Sequence, residues 1–297
     1  MIGVPRSGTS ILSEAFAMNE DLGWLPSYLN IFPRAYWPCI FNRLTSIPRI
    51  GIHFRGKKYQ NKKRDSKIKR YFPYSAEVFP FWESLLGNKF SWDYLISQKS
   101  SRKERKSLHA AVEKILKYQG KNRLFAKYTG PSKICFLNSI FPDACYVHVI
   151  RDPKAVVSSL MQVDFWRKKG GLFLPWWRNG LTSDDLLEWE NCNKSPIALA
   201  AIQWKRIIEV THSEKSYLQS TQFYEAKYED FVINPHKTLS MSFSFFGLNE
   251  SDQAHQYISS IGKIHNSNYK YKLLLNSSDI KLIDRITAPI ASRYGYT

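Results

Sequence analysis

Residues Gly3 to Ser10 read G-V-P-R-S-G-T-S, between an apolar stub (Met1, Ile2, Val4) and an apolar-periodic segment, Ile11 to Met18. This composition suits an oxyanion. Gly3 and Gly8 let the backbone turn and approach a ligand closely. Ser7, Thr9 and Ser10 add hydroxyls, and the free N–H groups and dipole of the following helix favour phosphate or sulfate. The stretch is not the ATPase loop G-x-x-x-x-G-K-[ST], because Thr9 follows Gly8 and the cation, Arg6, lies two residues before that glycine. A plain strand-to-helix turn accounts for the same residues, so a second element has to decide.

That element is Arg151-Asp152-Pro153, at the end of the apolar run Ala144 to Ile150. Asp152 and Pro153 read as N-cap and first helical residue, opening a helix through Ala155, Val156, Val157, Leu160 and Met161 that carries Ser159. A guanidinium and a hydroxyl so placed suit a second anion. An ion pair of Arg151 with Asp152 or a nearby carboxylate, with Ser159 an ordinary helix residue, is the plainer alternative.

The elements that must hold these residues alternate between strand and helix. Arg102 to Gln119 has Leu108, Val112, Ile115 and Leu116 at helical spacing, with Gly120 to end it. Arg123 to Tyr128 reads as a strand, Thr129-Gly130-Pro131 as a turn, and Ile134 to Ile140 as a short helix. Tyr146 to Ile150 is apolar on both faces, as buried parallel strands are. Ser195-Pro196 opens a helix, Phe223 to Phe231 reads as a strand, Asn234-Pro235 opens a helix ending at Gly247, and a last helix runs from near Ser278 to about Arg293. The fold class is therefore α/β, one domain over residues 1–297 with a central, mostly parallel sheet flanked by helices. Ligands of such sheets bind at strand carboxyl ends, where both anion elements lie.

Composition bounds the rest. With 297 residues, 43% apolar and 15% aromatic, the chain can bury a sizeable core. No apolar run reaches a membrane span and no secretory signal precedes the loop, so the expected location is cytoplasmic. Cys39, Cys135, Cys145 and Cys192 are widely separated, with no C-x-x-C pair and no His–Cys cluster at metal spacing, and Cys135 and Cys145 read as buried thiols. The net charge of +18 favours anionic partners. Much of it lies in a basic insertion around residues 51–72, where Arg55 to Arg70 holds a single acid, Asp65. That block is either a solvated segment or a landing strip for an acidic acceptor or a membrane surface. Nucleic acid is not an expected partner.

G-V-P-R-S-G-T-S, A-K-Y-T-G-P, F-P-D-A-C-Y-V-H-V-I-R-D-P-K-A-V-V-S-S-L and K-Y-E-D-F-V-I-N-P-H-K-T-L with F-F-G-L, in this order, resemble the sulfotransferases that use 3′-phosphoadenosine 5′-phosphosulfate (PAPS). The resemblance extends to the closing R-Y-G-Y and implies a P-loop-like α/β core. It also implies that Arg6, Ser7, Gly8, Thr9 and Ser10 hold the donor's 5′-phosphosulfate, with Arg6 where many relatives have lysine. Arg151 and Ser159 match the pair that grips the 3′-phosphate. Tyr228 falls in a segment near the nucleotide in relatives, with a core tyrosine as its alternative. Lys127 matches a lysine beside the reaction centre, where a fixed ion pair explains it nearly as well.

Sulfuryl transfer is an in-line displacement served by positioning and by charge stabilisation on the leaving oxygen, so no metal is required. A base for the acceptor's hydroxyl or amine proton is required. The protein-tyrosine branch of the family has a glutamate soon after the first helix, whereas G-W-L-P-S-Y-L-N here offers Pro26 and Ser27 and no acid. Glu77, a lone carboxylate among aromatics in Y-S-A-E-V-F-P-F-W-E, is the candidate, because burial among rings can raise a carboxyl's pKa toward neutrality. Glu83 and then His53 follow. An aromatic loop or lid around residues 164–182, with Phe165, Trp166, Phe173, Trp176 and Trp177, suits a sugar, aromatic or lipid acceptor, or else covers the core. A nucleotide or small-molecule kinase, and a non-catalytic binder of acidic polymer, are the alternatives; neither explains the Arg151 and Ser159 spacing. The first strand, barely four residues long, is either cut to its minimum or continues upstream, where a targeting segment would also lie.

Overall fold

Strand β4, Tyr146–Ile150, is buried at every residue. A strand so enclosed needs partners on both edges, because its amide groups cannot reach water. Those partners are β1, Ile2–Gly3, and β5, Phe223–Lys227, both parallel to it, in the order β1-β4-β5. Gly3 stands opposite Val149, and Lys227 opposite Ile150. A second parallel pair joins β2, Leu22–Trp24, to β3, Arg123–Phe125. The chain leaving β3 continues beside β1: Tyr128 N–H donates to the Met1 carbonyl at 3.2 Å and Gly130 N–H to the Gly3 carbonyl at 3.0 Å. The segment after β3 is thereby brought against the Gly3–Ser10 loop. The computed structural model describes residues 1–47, 74–168 and 170–296. The basic insertion, including Arg55 to Arg70, and His53 lie outside the described residues.

Helices cover both sheet faces, the architecture expected of the alternating pattern. On one face, Pro153–Met161, Pro196–Glu214 and Ser277–Ala291 surround a core that includes Val157, Trp204 and Ile283. On the other, Thr9–Phe16, Pro235–Phe245 and Asp252–Ser260 enclose Phe16, Val147 and Phe243. Each such side chain contributes roughly 1.5–3 kcal/mol by leaving water.

Local signals are realised where a specific side chain caps a helix. Ser101 and Glu104 form a capping box before Arg102–Gln119, and Gly120 ends that helix in the left-handed region at φ 66°. Asp152 accepts from Lys154 N–H at 2.8 Å, with Pro153 first in its helix.

Five expectations shift. The segment Phe223 to Phe231 is a strand only to Lys227, after which Tyr228–Ile233 is a helix, because the acids Glu229 and Asp230 suit a helix first turn. The strand expected over Arg123 to Tyr128 ends at Phe125, and the first helix spans Thr9–Phe16 rather than Ile11 to Met18. Cys135 is buried but Cys145 is exposed, since it precedes β4 rather than lying in it. Within 164–182, Asp164–Lys168 is a short helix whose Trp166 is fully buried, Trp177 joins the core, and Phe165 and Phe173 are exposed.

Candidate active site

The Gly3–Ser10 loop leaves β1 through a tight turn closed by Ser7 N–H on the Val4 carbonyl at 3.2 Å. Arg6 holds φ at 74°, a conformation few non-glycine residues adopt. Gly8, at φ 86°, is the N-cap of Thr9–Phe16 and supplies no side-chain cap, so the first-turn N–H groups are left without one. A β-carbon on Gly8 would lie 2.3 Å from Cδ2 of Tyr228. Glycine here is thus required twice, by conformation and by the packed ring.

Arg151 leaves the end of β4 and is 8% exposed. Its Nη1 donates to the Arg6 carbonyl at 2.9 Å, its Nε donates to Asn268 Oδ1 at 2.9 Å, and its guanidinium stacks 4.2 Å from the Tyr228 ring centroid. Burial lowers its pKa, opposed by Tyr228 and Glu229; an arginine nonetheless stays cationic. Arg6 Nε donates to Ser159 Oγ at 2.9 Å. Arg6, Gly8, Arg151, Ser159 and Tyr228, spread over the chain, are therefore linked by direct contacts.

A second cluster flanks the loop's far end. Lys127 is 8% exposed, and its Nζ lies 3.0 Å from Glu77 Oε1 and 3.2 Å from Ser10 Oγ. Thr129 Oγ1 donates to the two Glu77 oxygens at 3.2 and 3.3 Å. Glu77 is thus not a carboxylate alone among rings, as its sequence context suggested, but one held by an ammonium and a hydroxyl. Glu83 lies in the helix Phe79–Leu86, and it is Glu77 that meets Lys127. Gly130, at φ 110°, packs under Trp177, whose Cζ2 would be 2.7 Å from an added β-carbon. The aromatic segment 164–182 therefore reaches this cluster through one buried ring.

The chain fits an anionic ligand at the loop by an observation independent of motif. Ser7 Oγ is buried and has no hydrogen-bond partner among the described residues. Such an atom costs about 1–3 kcal/mol unless something bonds to it. A model of the sulfotransferase family matches residues 1–252. The chain belongs to the sulfotransferase family. Among solved structures, sulfotransferase STF9 from Mycobacterium avium aligns at a TM-score of 0.57 and 14% identity, covering 100% of this chain and 77% of that one. Sulfotransferase STF1 from Mycobacterium tuberculosis H37Rv gives 0.51 and 16%, covering 97% and 76%. Both are similar in fold. No curated protein sequence gives a significant match.

Sequence reasoning missed the supports of Arg151 in this sulfotransferase. Glu229 accepts from Asn268 Nδ2 at 2.6 Å, from Asp152 N–H at 3.2 Å and from Tyr296 Oη at 2.6 Å. The signal was present in K-Y-E-D-F and R-Y-G-Y, but only the fold joins them. His148, His212 and Glu225 likewise bring metal-ligand atoms within 4.8 Å of one another from distant positions. These atoms are already hydrogen-bonded: Glu225 Oε1 lies 3.4 Å from His148 Nδ1 and 3.0 Å from His212 Nε2, and accepts from Tyr294 Oη at 2.9 Å. Burial alone would raise the Glu225 pKa, but these bonds outweigh it and hold the carboxyl well below its usual range.

Proposed function

We propose that this sulfotransferase moves a sulfuryl group from PAPS to a hydroxyl or amine of a carbohydrate, lipid or small-molecule acceptor. Family membership supports the transferase, and the linkage of Arg6, Arg151 and Ser159 around the uncapped loop carries the choice of donor. PAPS supplies the sulfuryl group and, after transfer, leaves as the 3′,5′-bisphosphate. The backbone of Ser7 to Ser10 and the unpartnered Ser7 hydroxyl hold the 5′ end. Arg151 and Ser159 hold the 3′-phosphate, and Tyr228 backs both elements.

Arg6 bridges the two ends, since its carbonyl already meets Arg151 and its Nε meets Ser159. When donor binds, the Arg6 side chain exchanges Ser159 for phosphate charge. Glu77 takes the acceptor's proton, as Thr129 fixes its carboxylate. Lys127, between Glu77 and Ser10, places positive charge where negative charge moves during displacement. No step calls on a metal ion.

Thermal-shift titration with adenosine 3′,5′-bisphosphate tests the donor reading. The wild type should gain stability with ligand as mass action requires, and Arg151→Ala should lose that gain. Labelled donor and a panel of acceptor extracts then read transfer itself. An absent shift in the wild type, or ATP turnover without sulfuryl transfer, overturns the proposal.

A further inference from the structure

The 3-10 segment Trp37–Ser46 turns its apolar side outward. With three residues per turn, side chains three apart share a stripe. The inward stripe holds Cys39 and Asn42, both buried. The two outward stripes hold Phe41 with Leu44, and Trp37 with Ile40 and Arg43. Trp37 is 61% exposed, Phe41 50% and Leu44 47%. Ile31, Phe32 and Ile47, just before and after the segment, are exposed as well. Clustered exposure of this kind marks an interaction surface rather than the scatter normal on a monomer.

Cations rim the face. Arg43 is anchored by donating to the Tyr118 carbonyl at 2.7 Å and the Lys117 carbonyl at 3.1 Å, at the end of Arg102–Gln119. Arg34 donates to the Ser84 carbonyl at 2.6 Å. Lys114 and Lys117 are exposed on the helix that carries this anchor. A second copy of the chain would bring like charges together across the same face, which opposes self-association. The basic block Arg55 to Arg70 begins eight residues after Ile47 in the sequence. Aromatic and aliphatic side chains ringed by arginine and lysine match the interface of an anionic bilayer, with the rings at headgroup depth and the cations at lipid phosphates.

We propose that residues 31–47 dock the enzyme on an anionic lipid surface. Among the described residues no helix is long and apolar enough to cross a membrane, so the contact is peripheral. The segment is also linked through the chain to the second cluster of the site. Ser27 N–H donates to the Tyr74 carbonyl at 2.8 Å and Ala76 N–H to the Leu25 carbonyl at 3.2 Å, which places Glu77 one residue beyond a pairing with the stretch Leu25 to Ser27 that leads into the docking segment. Docking would therefore present Glu77 to acceptors carried in the bilayer. This last consequence rests on the sulfuryl-transfer reading; docking itself does not.

Flotation of the full chain tests it with phosphatidylcholine vesicles, with and without phosphatidylglycerol. The wild type should float with the anionic vesicles, and salt should release it. The combined variant Trp37→Ser, Phe41→Ser and Leu44→Ser should partition about tenfold more weakly or worse. Adenosine 3′,5′-bisphosphate should still shift its melting temperature, which reports folding and donor binding apart from docking. Amide exchange across residues 31–47 of the wild type should slow only when anionic vesicles are present. Equal flotation by the variant, failure of the wild type to bind, protection of 31–47 that anionic lipid leaves unchanged, or a stable dimer in light scattering would each overturn docking.

Discussion

The two halves of the site are built by different means. Around the donor elements, the loop, Arg151 and Tyr228 stand at the carboxyl end of a strand or the start of a helix, and contacts from distant parts of the chain fasten Arg6, Arg151 and Ser159. Arg151 touches Arg6, Asn268 and Tyr228, and Asn268 in turn is held by Glu229. Around Glu77, the polypeptide is a turn and a short bridge, Pro26 with Ser75. On the proposed reading, regular elements fix the half that recognises one constant donor, and irregular segments form the half that meets the acceptor, where loops can vary without disturbing a sheet.

The sharpest way to break this division is Glu77→Gln. An amide accepts no proton but keeps shape and still receives the Thr129 hydroxyl. Turnover should fall about 10²–10⁴-fold, the usual worth of a positioned base, while the bisphosphate-induced thermal shift stays at the wild-type value. Single-turnover assays with labelled donor supply the measurement. A loss of donor binding in this variant would mean that the halves are not separable, and near-normal turnover would remove Glu77 from the chemistry.

The same division explains what could be read from the sequence. Capping residues act within a few positions, so Ser101 with Glu104, and Asp152 with Pro153, mark their helices directly. The loop and Arg151 are legible because glycine, hydroxyl and cation requirements are local at each strand end. The pairing of Glu77 with Lys127 spans fifty residues, and nothing local to Glu77 announces it. Its aromatic neighbours suggested isolation, but the hydrogen bonds of Gly130 and Tyr128 to β1 carry Lys127 to its side. Tyr228 reads as a strand residue in the sequence for a related reason. Its segment alternates well enough for β structure, yet Glu229 and Asp230 turn it into a helix, and that turn presents the ring to Gly8 and Arg151.

A smaller effect sharpens the donor side. Asn268→Ala removes the acceptor of Arg151 Nε but leaves the bond to Arg6 and the stacking on Tyr228. Hydrogen bonds to charged groups are worth about 1.5–3 kcal/mol, and water can replace part of this at a half-exposed residue. Affinity for adenosine 3′,5′-bisphosphate should weaken about tenfold by calorimetry. Affinity for adenosine 5′-monophosphate, which lacks the 3′-phosphate, should change little. Equal losses for both ligands would mean that Arg151 does not read the 3′ end.

The smallest expected effect lies beneath the acceptor side. Lys133 is 1% exposed, donates to the Pro131 carbonyl at 3.2 Å, and has its ammonium 5.4 Å from the Phe90 ring centroid and 5.7 Å from that of Tyr128. It supports the Thr129-Gly130-Pro131 turn from below. Burial lowers its pKa from 10.5 to about 7, and Glu214 and Asp93 offset this only in part. Between these two values the unfolded chain holds a proton that the folded chain has released. Stability from this group therefore rises with pH from about 7 to about 10, at up to about 1.4 kcal/mol per pH unit, and levels off below that window, where both states are protonated. Lys133→Met should remove this slope. Urea denaturation of both proteins at a series of pH values isolates it, because the other titrating groups cancel in the difference. Parallel stability curves would show that Lys133 keeps its proton in the folded state. A difference that grows across the window would place this pH response in the acceptor half, since the donor side relies on arginines that do not titrate there.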